Sequence, residues 1–119
     1  MRGGLNMCTN QQVNSIISQL CSGLKPLFPQ SSMEAILFGS YARGEAESDS
    51  DIDVMVLVDS SRQEISSKMW QIGDVAAEIL LNSGIVVSPI VENRSYFQQN
   101  ASFFPLYRNI IREGISYSV

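Results

Sequence analysis

Apolar positions along the chain fall into a helix, two strands, a helix, a strand and a helical end. Val13, Ile16, Ile17, Leu20 and Leu24 recur at helical spacing, so the first long segment reads as an amphipathic helix. Thr9 with Gln12 makes a capping box at its start, and Gly23 and Pro26 mark its end. Met1 to Cys8 reads as a loose start. Ala35 to Phe38 (AILF) is too short for a helix and is stopped by glycine, which predicts a buried strand. The run DIDVMVLV from Asp51 to Val58 predicts a second strand, apolar on both faces beyond Asp53, as in a central strand.

The later chain follows the same logic. Asp59-Ser60-Ser61 reads as a turn and cap for a helix from about Arg62 to Leu81. Ile65, Met69, Ile72, Ala76, Ile79 and Leu80 trace its inner face, and Trp70 lies off that stripe as a packing residue or a partner contact. Asn82-Ser83-Gly84 closes this helix, and Ile85 to Val91 (IVVSPIV) predicts a third strand. Pro89 removes a ladder donor there, which places the strand at an edge or a bulge. Asn93 to Ala101 predicts a short helix, Pro105 heads a last helix over Leu106 to Glu113, and Gly114 stops it. Ile115 to Tyr117 could add a short edge strand. The pattern is that of a small α/β (α+β) domain with a mixed sheet and helices mainly on one face, spanning residues 1–119.

Composition narrows the chemistry. At 119 residues the chain fits one domain with a modest core. It contains no histidine, so Ser-His, Cys-His and His-ligated zinc mechanisms are excluded. The net charge is −4 with no basic cluster, which argues against a direct nucleic-acid surface. No apolar run approaches the roughly 20 residues of a membrane span, and no signal-peptide pattern opens the chain. Cys8 and Cys21 are too few and too far apart for a metal knuckle, so reduced thiols and a cytoplasmic location are expected.

The chemistry concentrates between Leu37 and Val58. Gly39 lets the backbone turn sharply and approach a ligand closely. Ser40 then heads a short helix over Tyr41 to Arg43, whose unpaired N–H groups attract anions, and Gly44 ends it. Asp51 and Asp53 share one face of the next strand, with Ile52 opposite. Two like charges so placed destabilise the unliganded fold, and a divalent cation would remove the repulsion. Hard oxygen ligands suit Mg²⁺, which takes one or two carboxylates plus substrate phosphates. A phosphate cradle beside a carboxylate pair suggests Mg-nucleoside triphosphate.

GSYARG followed by SDSDID resembles the signature of the DNA polymerase β-like nucleotidyltransferases, and the short length points to their minimal group. The match covers Gly39, Ser40, Arg43, Gly44, Asp51 and Asp53. The resemblance implies that Gly39, Ser40 and Arg43 hold the triphosphate of ATP. It implies that Asp51 and Asp53 are catalytic and bind Mg²⁺ in a two-metal site. It further implies transfer of AMP to a hydroxyl of a partner protein, as by antitoxins paired with a HEPN-type toxin. Relatives carry a third carboxylate at about Ser88, a base that serine cannot replace, and Glu92 is the nearest acid. A module that neutralises a toxin by contact alone is therefore a competing reading. Transfer to a small molecule such as an aminoglycoside is a third. Homo- or hetero-oligomers fit the first two.

Overall fold

The computed structural model describes residues 7–118, of which Ser118 is described in its backbone only. The expected loose start over Met1 to Asn6 lies outside the described residues. Helix α1 spans Asn10–Leu24, strand β1 Glu34–Phe38, helix α2 Ser40–Arg43 and strand β2 Ile52–Val58. Helices α3 (Arg62–Ser67) and α4 (Met69–Ser83) follow, then strand β3 (Val87–Asn93), helices α5 (Arg94–Asn100) and α6 (Pro105–Glu113), and strand β4 (Ile115–Ser118).

The four strands form one mixed sheet in the order β3-β2-β1-β4. β1 runs antiparallel to both β2 and β4, whereas β2 and β3 are parallel. Parallel neighbours need a long crossover. α3 and α4 supply it. Pro89 sits on the edge strand β3, where a missing N–H costs no ladder bond on the solvent side.

Alternation along β1 and β2 divides the core between two faces. Ala35, Leu37, Val54 and Val56 point to one face, under α1, α3 and α4. Ile36, Met55 and Leu57 point to the other, under Phe97 of α5 and Tyr107 and Ile110 of α6. The long helices α1 and α4 thus lie on one side, and two shorter helices close the second.

Three local expectations shift. The capping box at Thr9 forms as expected, with Thr9 N–H donating to Gln12 Oε1 at 2.7 Å. Gly23, however, does not end the helix. It lies inside α1, where a Cβ would press into Val75 of α4, so its role is close helix–helix approach. The helix expected over 62–81 is two helices broken at Lys68, whose φ of −111° and ψ of 14° are not helical. Ser67 Oγ turns back to donate to the Glu64 carbonyl at 2.6 Å, the competition with the backbone that makes serine a weak helix former. The break resets the helical phase, so Ile72 and Ile79 are buried while Met69, Leu80 and especially Trp70 (87% exposed) face outward. Finally, β3 starts two residues later than expected and runs on through Glu92 and Asn93, because these pair with Leu57 and Val58 of β2. No helix among the described residues is long and apolar enough to cross a membrane.

Candidate nucleotidyl-transfer site

The site forms where β1 hands over to α2, beside the start of β2. Gly39 has φ 75° and ψ −155°, a conformation L side chains rarely adopt. It faces Asp53 directly: Phe38 pairs with Asp53 across the ladder, and a Cβ added at Gly39 would collide with Asp53 Oδ2. Glycine is thus required twice, for its backbone angle and for the space the carboxylate occupies. α2 begins at Ser40 with its first N–H groups unpaired within the helix. Gly44, with φ 72°, caps it and returns N–H bonds to the Ser40 and Tyr41 carbonyls.

Asp53 lies in β2, and Asp51 sits just before the strand. Burial pushes the Asp53 carboxyl above the ordinary aspartate value, the charge of Asp51 pushes it further, and Arg43 partly offsets both. Charge on Asp53 is therefore disfavoured, chiefly by burial and next by Asp51. Ser88 pairs with Asp53 in the parallel register, and its hydroxyl donates to Asp51 Oδ2 at 3.2 Å. The serine thus joins the carboxylates as a neutral hydrogen-bond donor.

Arg43 is placed differently from a free phosphate ligand. Its Nε donates to Glu45 at 2.9 Å and its other arm to Glu113 at 3.1 Å. The guanidinium remains 42% exposed and close enough to act on Asp53. Glu113, at the end of α6, escaped sequence reasoning. Nothing in local spacing signals a contact across 70 positions.

Glu92 is not available to the site. Ser88 and Glu92 are separated by roughly 13 Å along β3, at about 3.3 Å per residue. Glu92 is 7% exposed. It accepts hydrogen bonds from the Tyr107 hydroxyl (2.8 Å), Arg62 Nε (3.1 Å) and the Asn93 N–H (2.8 Å). It is a saturated structural carboxylate at the opposite end of the sheet.

Asp51, Asp53 and the Ser88 hydroxyl form a small set of hard oxygen donors, which fits a magnesium ion whose remaining positions are filled by phosphate or water oxygens. Among the described residues no cluster of three or more Asp, Glu, Cys or His side chains would enclose a metal alone.

Comparison with known proteins addresses the family and the fold. The profile of the family described as "Nucleotidyltransferase domain" matches residues 17–115. A Methanocaldococcus jannaschii protein named "Putative protein adenylyltransferase" is 31% identical over 82% of this chain and 90% of its own length. A second protein of that name and organism is 31% identical over 68% of this chain, matching 55% of its own length. In structure, the chain resembles part of a toxin-antitoxin crystal structure determined with AMP-PNP. The TM-score is 0.51 at 22% identity, covering 90% of this chain and 73% of that one. That similarity speaks to the fold alone. The chain belongs to the nucleotidyltransferase domain family.

Proposed function

We propose that the chain is a Mg²⁺-dependent nucleotidyltransferase that moves AMP from ATP to a hydroxyl of a partner protein, as the antitoxin of a toxin-antitoxin pair. The observation that carries this reading is the packing of Gly39 against Asp53, which puts the phosphate turn and the carboxylate pair in one place. The protein acceptor is supported by the names of the M. jannaschii relatives, and the toxin by the structural neighbour, a toxin-antitoxin structure with AMP-PNP. A HEPN-type toxin is the partner proposed from the GSYARG…SDSDID resemblance.

In this reading the N–H groups at Ser40 and its hydroxyl hold the terminal phosphates, with Arg43 recruited from its ion pairs. Asp51 and Asp53 would hold Mg²⁺, which would supply positive charge to the phosphates and to departing pyrophosphate. The acceptor oxygen forms a bond to the α-phosphorus, the bond between the α-phosphorus and the bridging oxygen breaks, and pyrophosphate leaves with that electron pair. The hydroxyl proton goes to water, because Ser88 is no base and Glu92 is engaged elsewhere. The absence of that base favours a slow enzyme, since general-base help is commonly worth about 10²–10⁴-fold.

The same Ser88 supports the second reading, an antitoxin that acts by contact alone. Calorimetric titration with ATP, with and without Mg²⁺, followed by transfer of labelled AMP to the toxin partner, separates the two. The enzyme reading expects Mg²⁺-dependent binding and label transfer that falls by about 10²–10³-fold in Asp53→Asn. Toxin inhibition that persists undiminished in the variant, with no label transferred by the wild type, would establish the contact reading instead.

A further inference from the structure

Helix α4 carries two apolar faces. Ile72 and Ile79 are buried in the core, with Val75 and Ala76 packed beside them. On the opposite side Trp70, Ala77 and Leu81 recur at i, i+7 and i+11 and form one line along the helix. Met69, Gly73 and Leu80 form a second line beside it. Every member of both lines is exposed, Trp70 at 87% and Leu81 at 85%. A surface helix ordinarily keeps one apolar stripe and turns polar groups to water, whereas a helix apolar on both sides is buried on both. We propose that the outer face of α4 docks a basic amphipathic helix of a partner protein. The proposal uses none of the residues of the carboxylate site and does not depend on nucleotide transfer.

Shape favours a helix as the occupant. Trp70 and Leu81 stand roughly 16 Å apart along the axis, about three turns, so a partner helix of ordinary length would touch both. Gly73 and Ala77 lie between them and leave a low saddle. Glycine inside a helix is destabilising relative to alanine. At Gly23 the packing on Val75 accounts for it, but a Cβ added at Gly73 would meet nothing within 4 Å. The missing side chain at Gly73 thus serves no contact among the described residues and leaves room outside for the ridge of another helix. The main-chain groups in the middle of α4 are paired within the helix, so a partner engages side chains here and cannot add as a strand.

Charge selects which helix fits. Between Met69 and Ser83 there is no lysine or arginine. Asp74 and Glu78, one turn apart, border the apolar line, and both are exposed. Among the described residues neither is in an ion pair. A second copy laid antiparallel would set these carboxylates against their own equivalents, on a chain that already carries a charge of −4. Lysine or arginine flanking a partner's apolar stripe would instead meet them with opposite charge, as flanking charges do where paired helices choose partners.

The test uses Trp70 itself, the chain's one tryptophan, whose emission moves to shorter wavelength when the ring leaves water. Three synthetic peptides of about 20 residues serve as probes, long enough to hold a helix. One carries a leucine-alanine stripe flanked by lysine, the second has glutamate for each lysine, and the third has the lysine composition in an order without a stripe. The first should shift Trp70 emission saturably and bind at least about tenfold tighter than the other two. Leu81→Asp should abolish that binding, and Asp74→Lys with Glu78→Lys should reverse the preference toward the glutamate peptide. All three positions are exposed, so melting temperatures should hold, and the charge reversal decides alone if Leu81→Asp does not fold. No emission shift, equal binding of the three peptides, or a preference that the charge reversal leaves unaltered would overturn the proposal. A shift that grows with the protein's own concentration, with a doubled mass in sedimentation, would assign the face to a second copy instead.

Discussion

The two ends of the β2–β3 ladder carry carboxylates of opposite character. At one end Asp51 and Asp53 stand together, with Ser88 donating to Asp51 and Asp53 pushed toward protonation. At the other, Glu92 is buried among three donors, and burial plus the contact with Glu92 raise the Tyr107 hydroxyl well above its ordinary pKa. The same residue chemistry thus serves cohesion where donors converge on it and stays open to solvent where they do not. Asp51 is exposed and Asp53 half-buried, so both remain open to a group from outside the chain. Glu92, fully partnered, marks the reverse.

If that contrast is right, truncating each end changes stability in opposite directions. Glu92→Ala should cost the most, about 1.5–3 kcal/mol, because the buried Tyr107 hydroxyl loses a charged acceptor. Thermal melting reads this loss, and Mg·ATP affinity should be unchanged. A folded Glu92→Ala that lost ATP binding would merge the two ends into one functional unit.

A smaller effect of opposite sign is expected at Asp53. Its carboxyl titrates above the ordinary aspartate value of 3.8 in the fold, so the native state binds its proton more tightly than the unfolded chain does. Stability from this group is then present at low pH and is lost as pH rises from about that value through the raised one. Asp53→Asn should melt higher than the wild type near neutral pH, with the gap closing as pH falls toward 4. Saturating Mg²⁺ should close it at neutral pH by stabilising the wild type alone. A gap independent of pH would show that charge on Asp53 is not disfavoured.

The smallest effect concerns Arg43. Releasing it from α6 by Glu113→Gln should tighten ATP binding by about two- to fivefold, since exposed ion pairs are weak competitors. Weaker binding in this variant would instead make Glu113 a residue that orients the guanidinium.

Much of the local backbone around Gly39 was legible because its signals are local. Gly39 declares a positive φ and a close approach, and Gly44 a helix stop, whereas of the two aspartates expected on one strand only Asp53 lies in β2 and Asp51 just precedes it. These depend on backbone angles and on spacings of a few residues, which the order of amino acids dictates by itself. The cap at Thr9 and the placement of Pro89 on an edge strand follow from the same short-range rules.

Only tertiary packing decided the rest. Whether Glu92 could serve the site depended on where Tyr107 and Arg62 arrive in space, and whether Arg43 is held depended on Glu113. The outward turn of Trp70 shows only once α4 lies with Ile72 and Ile79 against the sheet. A cavity beside Asp51 is bounded by segments far apart in the chain, from Cys8 to Val86. No local period encodes such meetings, because they arise when distant segments bury their apolar faces on a common sheet and carry their polar neighbours with them.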